Sequence, residues 1–223
     1  MSLRAMLLGC FLLLIPGAGT SQRKHTPSPP QDNKELYQLY MDDQHERGNE
    51  PFIEYDDHGK RITPVREWKE LPDKELSRHD EVRRKRVREM LDAGTVRTGQ
   101  DYFFASMIFQ HGEAPNDFLL AHVLAMAAVS KGYQNARWTE AATLDRYLQS
   151  MKQPQVFGTQ FLYGKGGATS GDMSQGEYDS NLISNSVRAA MCVIPREKQE
   201  AQLNEARKNP GKANFNTGLI PCP

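Results

Sequence analysis

The sequence predicts a mainly α-helical protein made of antiparallel helical hairpins, arranged as a bundle or a short repeat-like array, with a short β segment near residues 155–162. Three apolar runs at helical spacing carry this prediction, at roughly 98–111, 115–131 and 135–152. Gly112 and Gly132 separate the runs. Glycine directly after an apolar run is typical of a helix end, because it adopts the left-handed conformation without steric cost. The β segment is predicted by the alternation over residues 156–161.

The N-terminal residues have the pattern of a secretory signal peptide. Arg4 gives a positive start, an apolar run too short to cross a bilayer follows, and a proline with small residues ends it. The apolar run continues past Cys10, which argues against a lipoprotein cleavage box and a lipid anchor there. We therefore predict a cleaved signal peptide at 1–20, a disordered linker at 21–33, and a secreted or periplasmic protein without a transmembrane span after cleavage.

Apolar residues at helical spacing also predict helices on both sides of the central stretch. These helices lie at 34–47, from near Pro72 to about Leu91, and within 181–208, where Pro195 starts the last one. Together with the central runs they predict a single helical domain at 34–208, followed by a tail at 209–223.

Charge and loop composition argue against a nucleic-acid partner. Basic and acidic residues balance at 28 each, so no net field attracts a polyanion. A basic run at 83–88 is flanked by Glu81 and Glu89, and we interpret it as a solvated helix face. The glycine-rich stretch at 163–176 lacks the residue order of a phosphate-binding loop.

The histidines and cysteines predict neither a metal site nor a cofactor. The six histidines are far apart in the sequence, and no cysteine pair has zinc-binding spacing. After signal cleavage the remaining cysteines are Cys192 and Cys222, and an exporting compartment permits a disulfide between them. The alternative is that Cys192 packs in a helix while Cys222 stays unpaired near the terminus.

Two polar residues, His122 and Asp145, fall on apolar faces of the central helices, and with Ser106 they predict a buried polar layer. An unpaired polar group there costs roughly a few kcal/mol, so each needs a partner. In antiparallel hairpins that turn near residues 114 and 132, Ser106, His122 and Asp145 come to the same height. They are the residue types of a hydroxyl–imidazole–carboxylate relay, so they are candidate catalytic residues, with His122 as general base. The alternative is a buried hydrogen-bond network that fixes helix register.

Four further residues flank this layer and are candidates for ligand binding. His111 is placed at a helix C-terminus, where the helix dipole favours an imidazolium. Arg146 is suited to charge-assisted hydrogen bonds with a ligand carboxylate or phosphate. In the segment that follows, Gln160 alternates with Thr159 and Phe161, which directs one polar side chain back toward the core.

Several short motifs are similar to those of a bacterial family of unknown function. That family opens with Asp-Gln-x-x-Arg and ends in Gly-Thr-Gln, and the matching stretches here are MDDQHER, ATLDRYL and QPQVFGTQF. The resemblance covers about 34–192, although the basic segment before Asp101 departs from shorter members. It implies that a group of residues occupies motif positions, and it implies no activity. These residues are Asp43, Gln44, Arg47, His111, His122, Asp145, Arg146, Thr159 and Gln160.

Three function classes follow from these observations. The leading hypothesis is a module of the cell envelope that binds a small-molecule ligand or another protein through a polar pocket around His122, Asp145, Arg146 and Gln160. The first alternative is a metal-independent hydrolase or transferase with His122 as general base. The second alternative is a purely structural domain whose polar layer sets the packing.

Overall fold

The structure is a computed structural model that describes residues 31–48, 72–163 and 171–209. The predicted signal peptide, nearly all of the linker and the tail lie outside these ranges. The fold is mainly helical, as predicted. The helices are α1 (Lys34–Glu46), α2 (Asp73–Asp92), α3 (Gly99–Phe109), α4 (Pro115–Ser130), α5 (Arg137–Ser150), α6 (Asn185–Ala190) and α7 (Arg196–Lys208). None of these helices is long and apolar enough to cross a bilayer.

The three central helices form two consecutive hairpins, with the most extensive packing between α3 and α4 and between α4 and α5. Pro115 stands in the first turn of α4, where its missing N–H has no helical partner to lose. Gly132 has the expected positive φ of 92°. Gly112 does not, so its predicted left-handed cap is wrong. A Cβ at Gly112 would lie 2.2 Å from Cβ of Asp117, so close packing at this corner requires the glycine.

The first two helices pack on α3 and complete the main core. Tyr40 of α1 stacks on Phe104 of α3 with ring centroids 4.6 Å apart. The carboxylate of Asp101 accepts from the backbone N–H of Thr98 at 3.0 Å, closing the capping box of α3. It also accepts from the backbone N–H of Asn33, the N-cap of α1, at 2.7 Å. One buried carboxylate therefore fixes the starts of two helices.

The basic run on α2 is not the solvated face that we expected. Arg83 is buried, and its guanidinium pairs with Asp80 at 3.1 Å and with Glu46 of α1. Arg84 donates to the carbonyl oxygen of His111 at 2.9 Å. Arg86 remains exposed and pairs with Glu35 at 2.7 Å. The interpretation fails for the first two arginines because α1 and the α3–α4 corner supply their acceptors.

Beyond α5 the β structure is limited to two short strands, β1 (Leu162–Tyr163) and β2 (Met173–Ser174), which pair antiparallel, and to a bridge between Gln155 and Tyr178. The chain between that bridge and β1 is an irregular turn. Arg188 of α6 is fully buried and donates to the carbonyl oxygens of Phe157 and Ile194. The C-terminal helices are thereby attached to this turn.

Candidate functional site

The helices pack close to the predicted register, but the three residues of the predicted relay bond to backbone groups and not to one another. Oγ of Ser106 donates to the carbonyl oxygen of Ala121 at 2.8 Å. Nδ1 of His122 lies 2.9 Å from the carbonyl oxygen of Glu140, and because a carbonyl only accepts, Nδ1 carries the proton. Among the described residues, no hydrogen bond joins Ser106, His122 and Asp145 to one another. The relay is therefore not formed, since carbonyls of adjacent helices satisfy its first two members.

Asp145 is fully buried and organises the turn that follows α5. Its Oδ1 accepts from the backbone N–H groups of Val156 and Phe157 at 2.7 and 2.9 Å. Its Oδ2 accepts from the backbone N–H and the hydroxyl of Thr159 at 2.9 and 2.8 Å. Burial raises the pKa of the Asp145 carboxyl, and these four hydrogen bonds oppose that rise. The carboxylate acts as the template around which an irregular turn folds.

The same turn places Gln160 against Arg146. The carboxamide of Gln155 closes the turn, accepting from the backbone N–H of Gln160 at 2.9 Å and donating to its carbonyl oxygen at 3.1 Å. Oε1 of Gln160 then accepts from Nε of Arg146 at 3.0 Å. Nη1 of Arg146 donates to the carbonyl oxygen of Gln110 at 2.6 Å. Two of the three guanidinium nitrogens are thus fixed, and the third, Nη2, has no partner among the described residues.

A second buried carboxylate, Asp43 of α1, faces the end of α3. Its Oδ1 lies 2.8 Å from Nη1 of Arg47 and 3.1 Å from Nδ1 of His111, and its Oδ2 accepts from Nε2 of Gln44 at 2.7 Å. Burial alone raises the pKa of Asp43, but His111, followed by Arg47 and Arg83, outweighs it and holds that pKa below its ordinary value. The carboxylate is therefore ionised, and Nδ1 of His111 must be the donor between them.

These residues meet at an open cleft of about 420 Å³ between α1, the α3–α4 corner, α5 and β1. Its lining includes Arg47, His111, Phe118, Arg146, Gln149 and Leu162. Of the predicted site residues, His111 and Arg146 line the cleft, and Asp145, Thr159 and Gln160 lie behind it as supports. Ser106 and His122 are not part of its wall.

The cleft has one cation without a carboxylate partner within the described part of the chain, the guanidinium of Arg146. Burial and the neighbouring charge of Arg47 both lower the pKa of Arg146. Nε2 of Gln149, another lining residue, is buried without a hydrogen-bond partner. The cleft wall therefore contains two hydrogen-bond donors, Nη2 of Arg146 and Nε2 of Gln149, that have no acceptor among the described residues.

Asp43 and Arg47 were absent from the site predicted from helical periodicity. The position of Asp43 in the helix could have identified it as a buried carboxylate. It continues the stripe formed by Leu36 and Tyr40, both of which are buried. A carboxylate on an apolar stripe needs buried partners, and Arg47 one turn later is a natural one. That His111 is the other partner was not visible, because 68 residues separate the two.

The remaining predictions concern cysteines and metals. Cys192 is buried and disulfide-bonded, and its predicted partner Cys222 lies outside the described residues. Within the described ranges, no group of three or more histidine, cysteine or acidic residues is arranged to bind a metal ion.

Comparison of the chain with protein-family models, with curated proteins and with solved structures found no match. The similarity noted for the Asp-Gln-x-x-Arg, Leu-Asp-Arg and Gly-Thr-Gln stretches therefore depends on those residues alone. In this structure the three stretches contribute Arg47 and Arg146 to the cleft lining, and Asp145, Thr159 and Gln160 to the supports behind it.

Proposed function

We propose that this protein is an exported module that binds a small ligand through an anionic group, a carboxylate or a phosphate, in the cleft at Arg146. Export is suggested by the signal-peptide pattern at 1–20. The observation that carries the binding proposal is the guanidinium of Arg146, which lines an open cleft, is fixed by two neutral acceptors and has no carboxylate partner within the described residues.

The orientation of Arg146 supports this proposal. A guanidinium on a protein surface ordinarily swings freely and loses side-chain entropy when it binds a ligand. Here Gln160 and the carbonyl oxygen of Gln110 hold it in place before any ligand arrives. Preorganised donors bind an anion with a smaller entropic cost, and arginine matches the planar geometry of a carboxylate or phosphate.

The surroundings of Arg146 favour an anion of small size. Arg47 lines the same cleft, and an anion near the two guanidiniums relieves their repulsion. Arg47 is already paired with Asp43 and Asp80, so we assign it a secondary, electrostatic role. Phe118 and Leu162 supply apolar wall for the rest of the ligand, and a volume of about 420 Å³ suits a small molecule.

The proposal is tested by calorimetric titration of the purified protein with inorganic phosphate, citrate and a neutral polyol. We expect binding of an anion that weakens with added salt, and no binding of the polyol. Arg146→Gln should weaken anion binding about 10- to 100-fold, since a hydrogen bond to a charged group contributes about 1.5–3 kcal/mol. Arg146→Lys retains the charge and should recover part of the loss.

Arg86→Gln is the matched control. Arg86 is an exposed arginine that pairs with Glu35 and Glu89 away from the cleft, so its loss should leave anion binding unchanged. Thermal unfolding of each variant separates loss of binding from loss of folding. Equal anion affinity in wild type and a folded Arg146→Gln variant would contradict the proposal.

A further inference from the structure

The cleft also contains a histidine–carboxylate pair, His111 and Asp43, that anion binding alone does not require. Nδ1 of His111 donates to the ionised carboxylate of Asp43 at 3.1 Å. In neutral imidazole this leaves the lone pair on Nε2, which has no partner among the residues that the structure describes. The ring lines the cleft, and its side chain is 17% exposed. A carboxylate that fixes the tautomer, with the opposite nitrogen open to solvent, is the arrangement of a general base.

Both members of the pair are held from more than one side. Arg84 of α2 fixes the backbone of His111 through its carbonyl oxygen at 2.9 Å. Arg47 and Gln44 occupy the other lone pairs of Asp43, so its carboxylate cannot rotate away from the imidazole. A group built for structure alone would not need its second nitrogen to face a cleft.

We propose that His111 is a general base and acid for hydrolysis of phosphate esters in this cleft, with Asp43 as its positioning residue and Arg146 binding the phosphoryl group. The inference rests on the anion site proposed above. Nε2 of His111 removes a proton from a water molecule whose oxygen forms a bond to phosphorus. The bond from phosphorus to the ester oxygen breaks, and that oxygen takes the proton back from the imidazolium. Ester and water become alcohol and phosphate, without any redox partner.

The positive charge of Arg146 stabilises the negative charge that develops on the phosphoryl group in the transition state. The equatorial phosphoryl oxygens carry the negative charge of the transition state, and Nη2 of Arg146 is the unpaired donor for them. Several charged groups lie around His111. They are Asp43 and Arg47 of α1, Arg84 of α2, which pairs with Asp117 of α4, and Arg146 of α5.

The test uses p-nitrophenyl phosphate and bis(p-nitrophenyl) phosphate as substrates, with p-nitrophenyl acetate as an acyl-ester comparison. We expect wild-type protein to hydrolyse a phosphate ester with a rate that falls at acidic pH, because a protonated base cannot accept the proton of water. His111→Gln should lower kcat about 10²- to 10⁴-fold while retaining affinity for inorganic phosphate. Asp43→Asn should lower kcat and shift the pH profile, because the tautomer and charge of the imidazole change.

His122→Gln is the control, since His122 bonds to a carbonyl away from the cleft and an amide replaces that donor. If His111→Gln is unfolded, His111→Ala with added imidazole replaces it, and turnover should return with imidazole. Phosphate binding without hydrolysis of either phosphate ester overturns the general-base proposal and leaves the anion site standing. Hydrolysis of the acetate alone refutes the substrate class. Binding of citrate but not of phosphate in wild type overturns the hydrolysis proposal alone, and absence of binding of both anions overturns both proposals.

Discussion

Replacing Asp145 with asparagine tests whether one buried carboxylate organises the turn that supports the cleft. Asparagine has nearly the same shape but offers one acceptor oxygen and one donor nitrogen. If its oxygen keeps the two backbone N–H groups of Val156 and Phe157, its NH₂ group faces the N–H of Thr159. The hydroxyl of Thr159 can rotate to accept from that NH₂ group, but the backbone N–H cannot. At least one buried donor therefore loses its partner.

The expected cost follows from these contacts. A buried N–H without a partner costs about 1–3 kcal/mol, and the two remaining bonds lose the strengthening that a charged acceptor gives. Removing the buried charge offsets part of this loss in the free energy of unfolding, because desolvation of the carboxylate is itself unfavourable. The balance is a loss of about 2–4 kcal/mol in the free energy of unfolding. For a chain of this size that corresponds to a drop of roughly 5–15 °C in Tm.

Thermal and urea unfolding followed by circular dichroism would measure this loss. Thr159→Val removes one hydroxyl donor and should cost about 1–2 kcal/mol, an intermediate value. Asp92→Asn changes an exposed aspartate at the end of α2 and should cost almost nothing. An Asp145→Asn protein that unfolds together with wild type would refute the view that the carboxylate holds the turn.

Two further predictions concern pH and packing. The pKa of Asp43 is lowered in the folded protein, so its contribution to stability is complete above its unfolded value of about 3.9 and is lost as pH falls through the lower, folded value. The free energy of unfolding, measured with denaturant, should therefore change less between pH 7 and pH 3 in Asp43→Asn than in wild type. An equal change in the two proteins would contradict this assignment. Gly112→Ala should cost more than Gly94→Ala, which costs about 1 kcal/mol through its positive φ alone, because a methyl group at Gly112 collides with Asp117. Comparison of the two Tm values decides this, and equal losses would show that the corner relaxes.

The helices were predictable because their signals are local. Apolar spacing, Pro115 and Gly132 place the second central helix within a few residues of its observed ends. The predicted register of the hairpins was also close to the observed one. Ser106 was expected to lie level with His122, and it bonds to the carbonyl oxygen of Ala121, the residue before His122. Hydrogen-bond partners were harder to predict. A side chain between packed helices can bond to a backbone carbonyl of the neighbouring helix, and no pattern of residue types shows which carbonyl that is.

The cleft itself depends on contacts that a linear pattern does not encode. His111 and Asp43 are brought together by the packing of α1 on α3, across a sequence separation of 68 residues. The role of Gln160 depends on the direction in which an irregular turn leaves α5. Periodicity identified Asp145 as a polar residue in need of a partner, but it gave the carboxylate the wrong partner, a histidine instead of three backbone N–H groups and a hydroxyl.

The turn between Gln155 and β1 has a consequence for how this protein behaves at high concentration. An extended segment at the margin of a fold usually presents unpaired N–H and C=O groups that recruit a strand from another molecule. Here Asp145 and Gln155 accept from the N–H groups of Val156, Phe157, Thr159 and Gln160. Arg188, Gln175 and Gln199 donate to the carbonyl oxygens of Phe157 and Gly158. Side chains thus take the place of a neighbouring strand. The segment joins α5 to the C-terminal part of the fold with these backbone groups already paired, so we expect it not to promote intermolecular β-pairing.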